Sequence, residues 1–149
     1  MKLSTKGRYG LRAMIDLAVH SGDEHVALYS VAERQQISEN YLEQVFSALR
    51  KAGLVKSVKG AQGGYSLADK PGNITIGTIL RAMEGNFSIV DYNPDPKGRE
   101  ENSVQYCLQV NVWDKMTASL NALVDSITLE DMANDYKIKK GMMKLMYYI

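Results

Sequence analysis

Apolar side chains recur at helical spacing along the first twenty residues of the chain. A hydroxyl side chain stands just ahead of them, and either Ser4 or Thr5 can accept the first free backbone amides. The pattern predicts a helix that begins near residue 5 and ends before Gly22. Its expected buried face, spaced i, i+3, i+4, i+7, comprises Leu11, Met14, Ile15 and Ala18.

The next thirty residues predict two further helices joined by a tight turn. Ser30 and Glu33 fit the capping-box pattern of a short second helix that ends near Gln36. Ser38 is the predicted cap of a third helix, and Gly53 stands where a left-handed residue would end it. The apolar stripe of this third helix comprises Leu42, Val45, Phe46 and Leu49.

The apolar pattern shortens after residue 53 into two β-prone runs. Residues 54–58 and 65–67 are separated by six residues, three of them glycine, which predicts a hairpin with a flexible tip. Thr75 is the expected cap of a fourth helix that closes at Gly85. Three helices followed by a hairpin is the order of elements in a winged helix-turn-helix.

A long amphipathic helix is predicted in the second half of the chain. The segment before it, residues 91–103, holds two prolines, a glycine and six charges, which predicts a mobile loop. Apolar residues recur along the helix at steps of three or four. Such a seam can pack on its own domain on one side and on a second copy of the chain on the other. The alternative is that the whole seam belongs to the core of a single chain. The seam residues are Leu108, Val112, Met116, Leu120, Leu123 and Ile127.

The net charge of +1 conceals an uneven distribution. Residues 1–67 hold nine basic against six acidic side chains, whereas residues 68–149 hold nine against eleven. The runs 1–15 and 50–59 each contain four basic side chains and no acidic one. Such runs are either solvated surface or a positive field that attracts a polyanion such as a nucleic acid.

The third helix projects polar side chains once its apolar stripe faces inward. Asn40 and Gln44 suit base edges, and Glu43 is expected to accept from a cytosine amino group and to disfavour other sequences. Lys59, at the glycine-rich tip, is the cation expected in the minor groove. The alternative is an ordinary amphipathic helix beside an ordinary hairpin. The expected phosphate contacts are Arg50, Lys51, Lys56 and Lys59.

Composition excludes several classes of protein. With 45% apolar and 23% charged residues the chain is globular, and no run of about 18 apolar residues could cross a membrane. One cysteine cannot form an internal disulfide, so we expect a cytoplasmic protein. Since no catalytic or phosphate-binding motif is present, we do not expect an enzyme.

Several motifs, in order along residues 1–132, together resemble the Rrf2 family of bacterial transcription regulators. The resemblance implies a homodimeric winged-helix repressor that binds a pseudo-palindromic operator in double-stranded DNA. Lys59 stands where relatives often carry arginine, which is less strongly hydrated. The motifs are MKLSTKGRYG at 1–10, YLEQ at 41–44, LRKAGLV at 49–55, GGYSL at 63–67 and ITLED at 127–131. The resemblance implies that Asn40, Tyr41, Glu43 and Gln44 read the operator and that Lys59 and Gly60 lie at the wing. The full expected DNA-binding set is Ser38, Asn40, Tyr41, Glu43, Gln44, Arg50, Lys51, Lys56, Lys59 and Gly60.

We therefore predict a mainly α fold with a small β-hairpin wing, a winged helix-turn-helix joined to a long dimerisation helix. The expected divisions are a DNA-binding domain at 1–85 (helix-turn-helix 28–51, wing 54–67), a sensor-type loop at 86–103, a dimerisation helix with a short following helix at 104–134, and a C-terminal tail at 135–149. The expected dimer contacts are Leu108, Val112, Met116, Leu120 and Leu123.

The resemblance also raises the question of a cofactor. Many relatives hold an iron–sulfur cluster through three cysteines in and after the loop, whereas this sequence retains only Cys107, which resembles the last of them. We expect no cofactor in this sequence, with Cys107 a remnant ligand at most. A [2Fe–2S] cluster would require that cysteines of the natural protein had been replaced here. Otherwise Cys107 is expected to be a small buried hydrophobe.

The end of the chain resembles the tail of the family's cysteine-metabolism repressor, which works with cysteine synthase. The resemblance implies that Tyr147, Tyr148 and Ile149 enter the synthase active site, while packing on its own dimer is the alternative. We thus expect a regulator of iron–sulfur or cysteine and sulfur metabolism genes. The alternative is an interaction module that docks such an enzyme without binding DNA.

Overall fold

The structure is a computed structural model that describes residues 2–22, 24–90 and 100–148. The helices and strands within these ranges confirm a mainly α fold with a β-hairpin. In chain order they are α1 (Thr5–His20), α2 (Leu28–Gln35), α3 (Glu39–Lys51), β1 (Val55–Val58), β2 (Gly64–Leu67), a 3₁₀ turn (Pro71–Asn73), α4 (Ile76–Glu84), α5 (Val104–Leu108), a π-helical turn (Gln109–Trp113), α6 (Asp114–Ser126) and α7 (Leu129–Tyr148).

Hydroxyl caps begin three of the helices where the sequence predicts them. The side chains of Ser4, Ser38 and Thr75 each accept a backbone amide of the first turn, at 3.0, 3.2 and 3.1 Å. The prediction for α2 is wrong, because Ser30 lies inside the helix and Ala27 occupies the cap position without a side-chain bond. The carbonyl oxygen of Ala27 already accepts the Ser30 amide at 3.1 Å, so the chain turns helical before the capping-box residues.

The core lies where α1, α3 and α4 meet. Leu11, Ile15 and Ala18 of the predicted α1 stripe are only half-buried, since the fully buried face is turned toward Ala13 and Leu17. Gly10 lies on this side of α1 and allows a close approach to α4, because a Cβ there would lie 2.9 Å from the Met83 side chain. The largest fully buried side chains are Phe46, Met14, Leu17, Leu42, Leu49, Ile79, Leu129, Val31 and Val45.

The hairpin is an antiparallel pair in which Val55 faces Leu67 and Val58 faces Gly64. Its second strand is also held on the other edge, since Tyr65 and Val26 exchange two backbone hydrogen bonds of 2.8 Å. The wing is thereby fixed to the segment that leads into α2.

The predicted long helix is α5 and α6 joined through the π-helical turn. It ends at Ser126, one residue before the last predicted seam residue, Ile127. Ile127 is extended, and its carbonyl oxygen accepts the Ile76 amide at 2.9 Å. Val124 packs against Ile76 and Leu80 of α4, whereas the neighbouring seam residue Leu123 is 57% exposed. Most of the predicted loop, residues 91–99, lies outside the described residues.

The last helix, α7, is longer than predicted. Thr128 and Asp131 start it with a reciprocal capping box, in which each backbone amide donates to the other's side chain at 3.0 and 3.1 Å. These bonds hold the pKa of the Asp131 carboxyl below its ordinary value. The prediction of a short helix that ends by residue 134 is wrong, since α7 continues to Tyr148. Lys139 pairs with Asp135 four residues earlier and so stabilises the helix across the expected boundary with the tail. No helix in the described ranges is long and apolar enough to cross a membrane.

Candidate nucleic-acid interface

A buried carboxylate joins α1 to the helix-turn-helix. Asp16 is 2% exposed, and its two oxygens accept hydrogen bonds from Arg34 at 2.7 and 3.0 Å and from Gln35 at 2.9 Å. The Asp16 hydrogen bond raises the pKa of the Arg34 guanidinium above its ordinary value. This clamp fixes the end of α2, and hence the turn that follows it, against α1.

The turn between α2 and α3 is three residues long. Gln36 adopts a left-handed conformation with φ of +55°, which redirects the chain at the end of α2. Ile37 is buried, and Ser38 then caps α3. The turn therefore presents α3 across α2 in the manner of a helix-turn-helix recognition helix.

The outward face of α3 forms one wall of a shallow surface groove. Asn40, Glu43 and Gln44 are exposed and line this groove, and Lys51 lines it further along the helix. Lys6 of α1 lies on the same groove, although the sequence analysis did not place it in the binding set. The run of basic side chains without an acidic one at residues 1–15 pointed to this part of α1. Only the fold shows that Lys6 is the member of that run that lies beside α3.

Ser38 and Tyr41, the other members of the expected set on α3, make contacts within the protein. The Ser38 hydroxyl accepts the Tyr41 amide, and the Tyr41 ring is half-buried against Tyr9, edge to face with centroids 5.7 Å apart. Arg12 lies 5.1 Å from the centre of the Tyr9 ring. Ser38 and Tyr41 thus position the start of α3.

An aromatic stack attaches the wing to α3. The ring of Tyr65 in β2 lies 4.4 Å from that of Phe46, with 14° between their planes. Arg50 at the end of α3 donates to the Ser57 hydroxyl of β1 at 3.3 Å. These contacts hold the hairpin against α3.

The tip of the wing adds cations beside α3. Arg50, Lys59 and Gly60 line a second groove between α3 and the hairpin, and Gly60 has φ of +115°, which L side chains rarely adopt. Lys56 is exposed, but side chains alternate along a strand, so it points to the side of β1 opposite Ser57. The structure therefore places seven members of the expected set on two grooves, four on the first and three on the second, and leaves Ser38, Tyr41 and Lys56 outside both.

A polar cluster links this domain to the long helix. Arg81 of α4 forms a two-pronged ion pair with Asp125 of α6, at 2.6 and 2.9 Å, and also donates to Asn121 at 2.9 Å. The Arg81 hydrogen bond lowers the pKa of the Asp125 carboxyl. These bonds join α6 to α4.

The expectation that Cys107 is buried is wrong, because its side chain is exposed on α5, a helix without a buried residue in the single chain. Its neighbour Asn111 donates to its carbonyl oxygen at 2.9 Å and lies 3.5 Å from Sγ. Iron–sulfur clusters are usually held by four ligands, mostly thiolates. One thiolate per chain does not fit such a cluster, and no three His, Cys, Asp or Glu side chains converge elsewhere in the described ranges.

The expected dimer and tail residues lie on exposed helix faces. Leu108, Met116 and Leu123 are 42, 46 and 57% exposed, and Val112 and Leu120 are half-buried. Tyr147 is 87% exposed at the end of α7. The Tyr148 side chain and Ile149 lie outside the described part of the chain.

Comparisons with known proteins point to one family. The Rrf2 profile, described as an iron-dependent transcriptional regulator, matches residues 3–135. CymR of Bacillus subtilis is 45% identical over 136 residues, which cover 90% of this chain and 91% of that protein. IscR of Photobacterium profundum is 37% identical over 140 residues, which cover 94% of this chain and 80% of that protein. Both are named transcriptional regulators, in line with the prediction that the chain is not an enzyme.

Solved structures of similar proteins have the same fold. The structure of B. subtilis CymR, described as the global cysteine regulator, matches with a TM-score of 0.75 and 43% identity and covers 90% of this chain and 97% of that one. The structure of T. potens IscR matches with a TM-score of 0.70 and 48% identity and covers 91% and 88%.

Proposed function

The chain belongs to the Rrf2 family of transcriptional regulators, and from this we propose that it is a homodimeric repressor that reads its operator through α3 and the wing. The observation that carries the proposal is that α3 lines two grooves, one with Lys6 of α1 and the other with the tip of the wing. Asn40, Glu43 and Gln44 offer base-reading groups there, and Lys6 and Lys51 offer phosphate contacts beside them. Because such a protein acts on chromosomal DNA, we place it in the cytoplasm.

Dimerisation is proposed through the α5–α6 seam. Large apolar side chains such as Leu108, Met116 and Leu123 stand uncovered in the single chain, and a contiguous apolar face of this kind commonly marks a protein contact. A two-fold axis at the seam presents two copies of α3 to the DNA. The operator is then pseudo-palindromic, with half-sites separated by a multiple of about 10.5 base pairs.

The regulated genes are proposed to belong to cysteine and sulfur metabolism. The similarity to a protein described as a global cysteine regulator supports this branch, and the single exposed Cys107 speaks against the cluster-sensing branch. Control by a protein partner is therefore favoured over control by an iron–sulfur cluster.

A cysteine synthase is the proposed partner, and the end of α7 is its proposed contact. Tyr147 is exposed there, and an exposed aromatic side chain near the end of a helix suits an apolar pocket on a protein partner. Deleting Ile149 should abolish synthase binding and leave DNA binding unchanged when no synthase is present. Calorimetry with purified synthase checks this, and retained affinity after the deletion contradicts the tail contact.

Selection of DNA fragments by the purified protein tests the regulatory proposal. Sheared genomic DNA is passed over the immobilised chain, eluted and sequenced. We expect enrichment of fragments that share a pseudo-palindrome, and we expect the variant N40A/Q44A to bind DNA without such enrichment. Equal recovery of all fragments by the unaltered protein would contradict operator binding.

A further inference from the structure

A carboxylate of α4 holds the start of α1. Oε1 of Glu84, the last residue of α4, accepts hydrogen bonds from the Ser4 amide at 2.9 Å and from the Ser4 hydroxyl at 2.5 Å. The Ser4 hydroxyl oxygen accepts the Gly7 amide at 3.0 Å, and the Ser4 carbonyl oxygen accepts the Arg8 amide at 3.1 Å. Because the hydroxyl donates its single proton to Glu84, its lone pairs are left to face the Gly7 amide. Glu84 thus fixes the orientation of the hydroxyl that caps α1.

Glycine makes room for this carboxylate. A Cβ on Gly7 would overlap Oε1 of Glu84 and would lie 3.1 Å from its Cδ atom. Gly7 is buried at this contact, whereas Ser4 is exposed. A side chain at position 7 would therefore have to displace the carboxylate from the start of α1.

The start of α1 needs this support because it is basic. Its first turn contains Lys6 and no acidic side chain, and Arg8 follows directly after it. Cations are disfavoured at the N-terminal end of a helix, which is the positive end of the helix dipole. The first amides of a helix also have no partner within it, and an uncapped end frays. A carboxylate supplied by α4 opposes both effects.

Lys6 connects this helix start with DNA binding. It lies next to Gly7 in the first turn of α1 and lines the groove formed with Asn40, Glu43 and Gln44 of α3. A lysine on a frayed turn must lose the freedom of its backbone when it binds a phosphate, and this loss weakens binding. Fixing the first turn in the free protein removes that cost.

We propose that Glu84 is a positioning residue for DNA binding, which acts through Ser4 and the first turn of α1 to hold Lys6 at the groove. The inference rests on the proposed operator binding and assigns a part in it to α4. Glu84 lines neither of the two grooves beside α3. Its negative charge repels phosphate, so its benefit to DNA binding comes from the hydrogen bonds that it accepts.

The variants E84A and E84Q separate these hydrogen bonds from the charge. Both remove one negative charge at the same position, but the amide oxygen of glutamine can still accept from the Ser4 amide and hydroxyl. A second variant, S4A, removes the capping hydroxyl and keeps the Glu84 carboxylate. Circular dichroism and thermal melting confirm that each variant is folded. Fluorescence anisotropy over a range of salt concentrations measures affinity for an operator fragment recovered by the genomic selection.

We expect E84A to bind the operator about fivefold more weakly than E84Q, which is the size of effect that loss of one helix cap produces. In E84A and S4A the slope of log affinity against log salt should fall by up to about one unit, because one phosphate contact is weakened. E84Q should keep the slope of the unaltered chain. In a K6A background E84A and E84Q should bind alike, because the contact through which Glu84 acts is already lost.

Equal affinity and equal slope in E84A and E84Q overturn the proposal. A fivefold difference that persists in K6A also overturns it, since Glu84 would then act on the fold without acting through Lys6. The same holds if K6A binds the operator like the unaltered chain. An unaltered chain that does not prefer the operator fragment over a scrambled sequence refutes the proposed function itself, which distinguishes the two failures.

Discussion

Removing the charge of Asp16 should loosen the helix-turn-helix more than any other single polar change in the winged domain. In Asp16→Asn the side chain keeps its shape, so the buried site is not emptied. The amide retains one acceptor oxygen for three donated hydrogen bonds, two from Arg34 and one from Gln35. The new NH₂ group also faces the Arg34 guanidinium, which is itself a donor.

The expected cost follows from the geometry of the clamp. Hydrogen bonds to a charged group contribute about 1.5–3 kcal/mol each, and the change removes or weakens two of them. The Arg34 side chain is 35% exposed and can recover water, which reduces the loss. We therefore expect the free energy of unfolding to fall by about 2–3 kcal/mol, below the range of about 3–5 kcal/mol for a fully buried pair.

Urea denaturation at neutral pH measures this change as a shift of the midpoint at constant slope. Glu33→Gln is the control, since Glu33 is exposed on the same helix as Arg34 and its loss should change stability by less than about 0.5 kcal/mol. A loss below about 0.5 kcal/mol in Asp16→Asn would refute the clamp. Operator affinity should fall as well, because the clamp positions α2 beneath α3.

Three further outcomes are expected. Gln36→Gly should raise the free energy of unfolding by about 0.5–1 kcal/mol in urea denaturation, because φ of +55° suits glycine; a loss would show that the Gln36 side chain stabilises the turn. Arg81 lowers the pKa of Asp125, so this pair should stabilise the fold above pH 3.8 and lose its effect as pH falls through the lowered pKa. The melting temperature of Asp125→Asn should therefore differ from that of the unaltered chain at pH 6, and the two should converge in strong acid. A difference that stays constant with pH would contradict a stabilising role for the ion pair. Lys59→Ala should reduce the slope of log affinity against log salt by about one unit, and an unchanged slope would remove Lys59 from the DNA contacts.

Features set by neighbouring residues were predictable from the sequence. Ser38 and Thr75 cap helices because each meets the amide three residues ahead. The α3 stripe at Leu42, Val45 and Phe46 is fully buried as its spacing predicts. These interactions operate within a few residues, so the pattern along the chain contains them.

Features that depend on distant segments were not predictable. Ser30 and Glu33 fit a capping box, yet the chain is already helical at Leu28, next to Val26, which pairs with Tyr65. Lys6 lies beside α3 only because α1 packs against it. The Asp16 clamp joins residues 18 and 19 positions apart, and no local pattern predicts it.

The most direct test of operator reading by α3 is base discrimination in Glu43→Ala. Fluorescence anisotropy compares affinity for the selected operator with that for single-base variants, at one fixed salt concentration. If Glu43 accepts from a cytosine amino group, the variant should bind DNA at least as tightly and lose about 1–3 kcal/mol of discrimination at one base pair of each half-site. Unchanged discrimination at every position would contradict the reading role of Glu43.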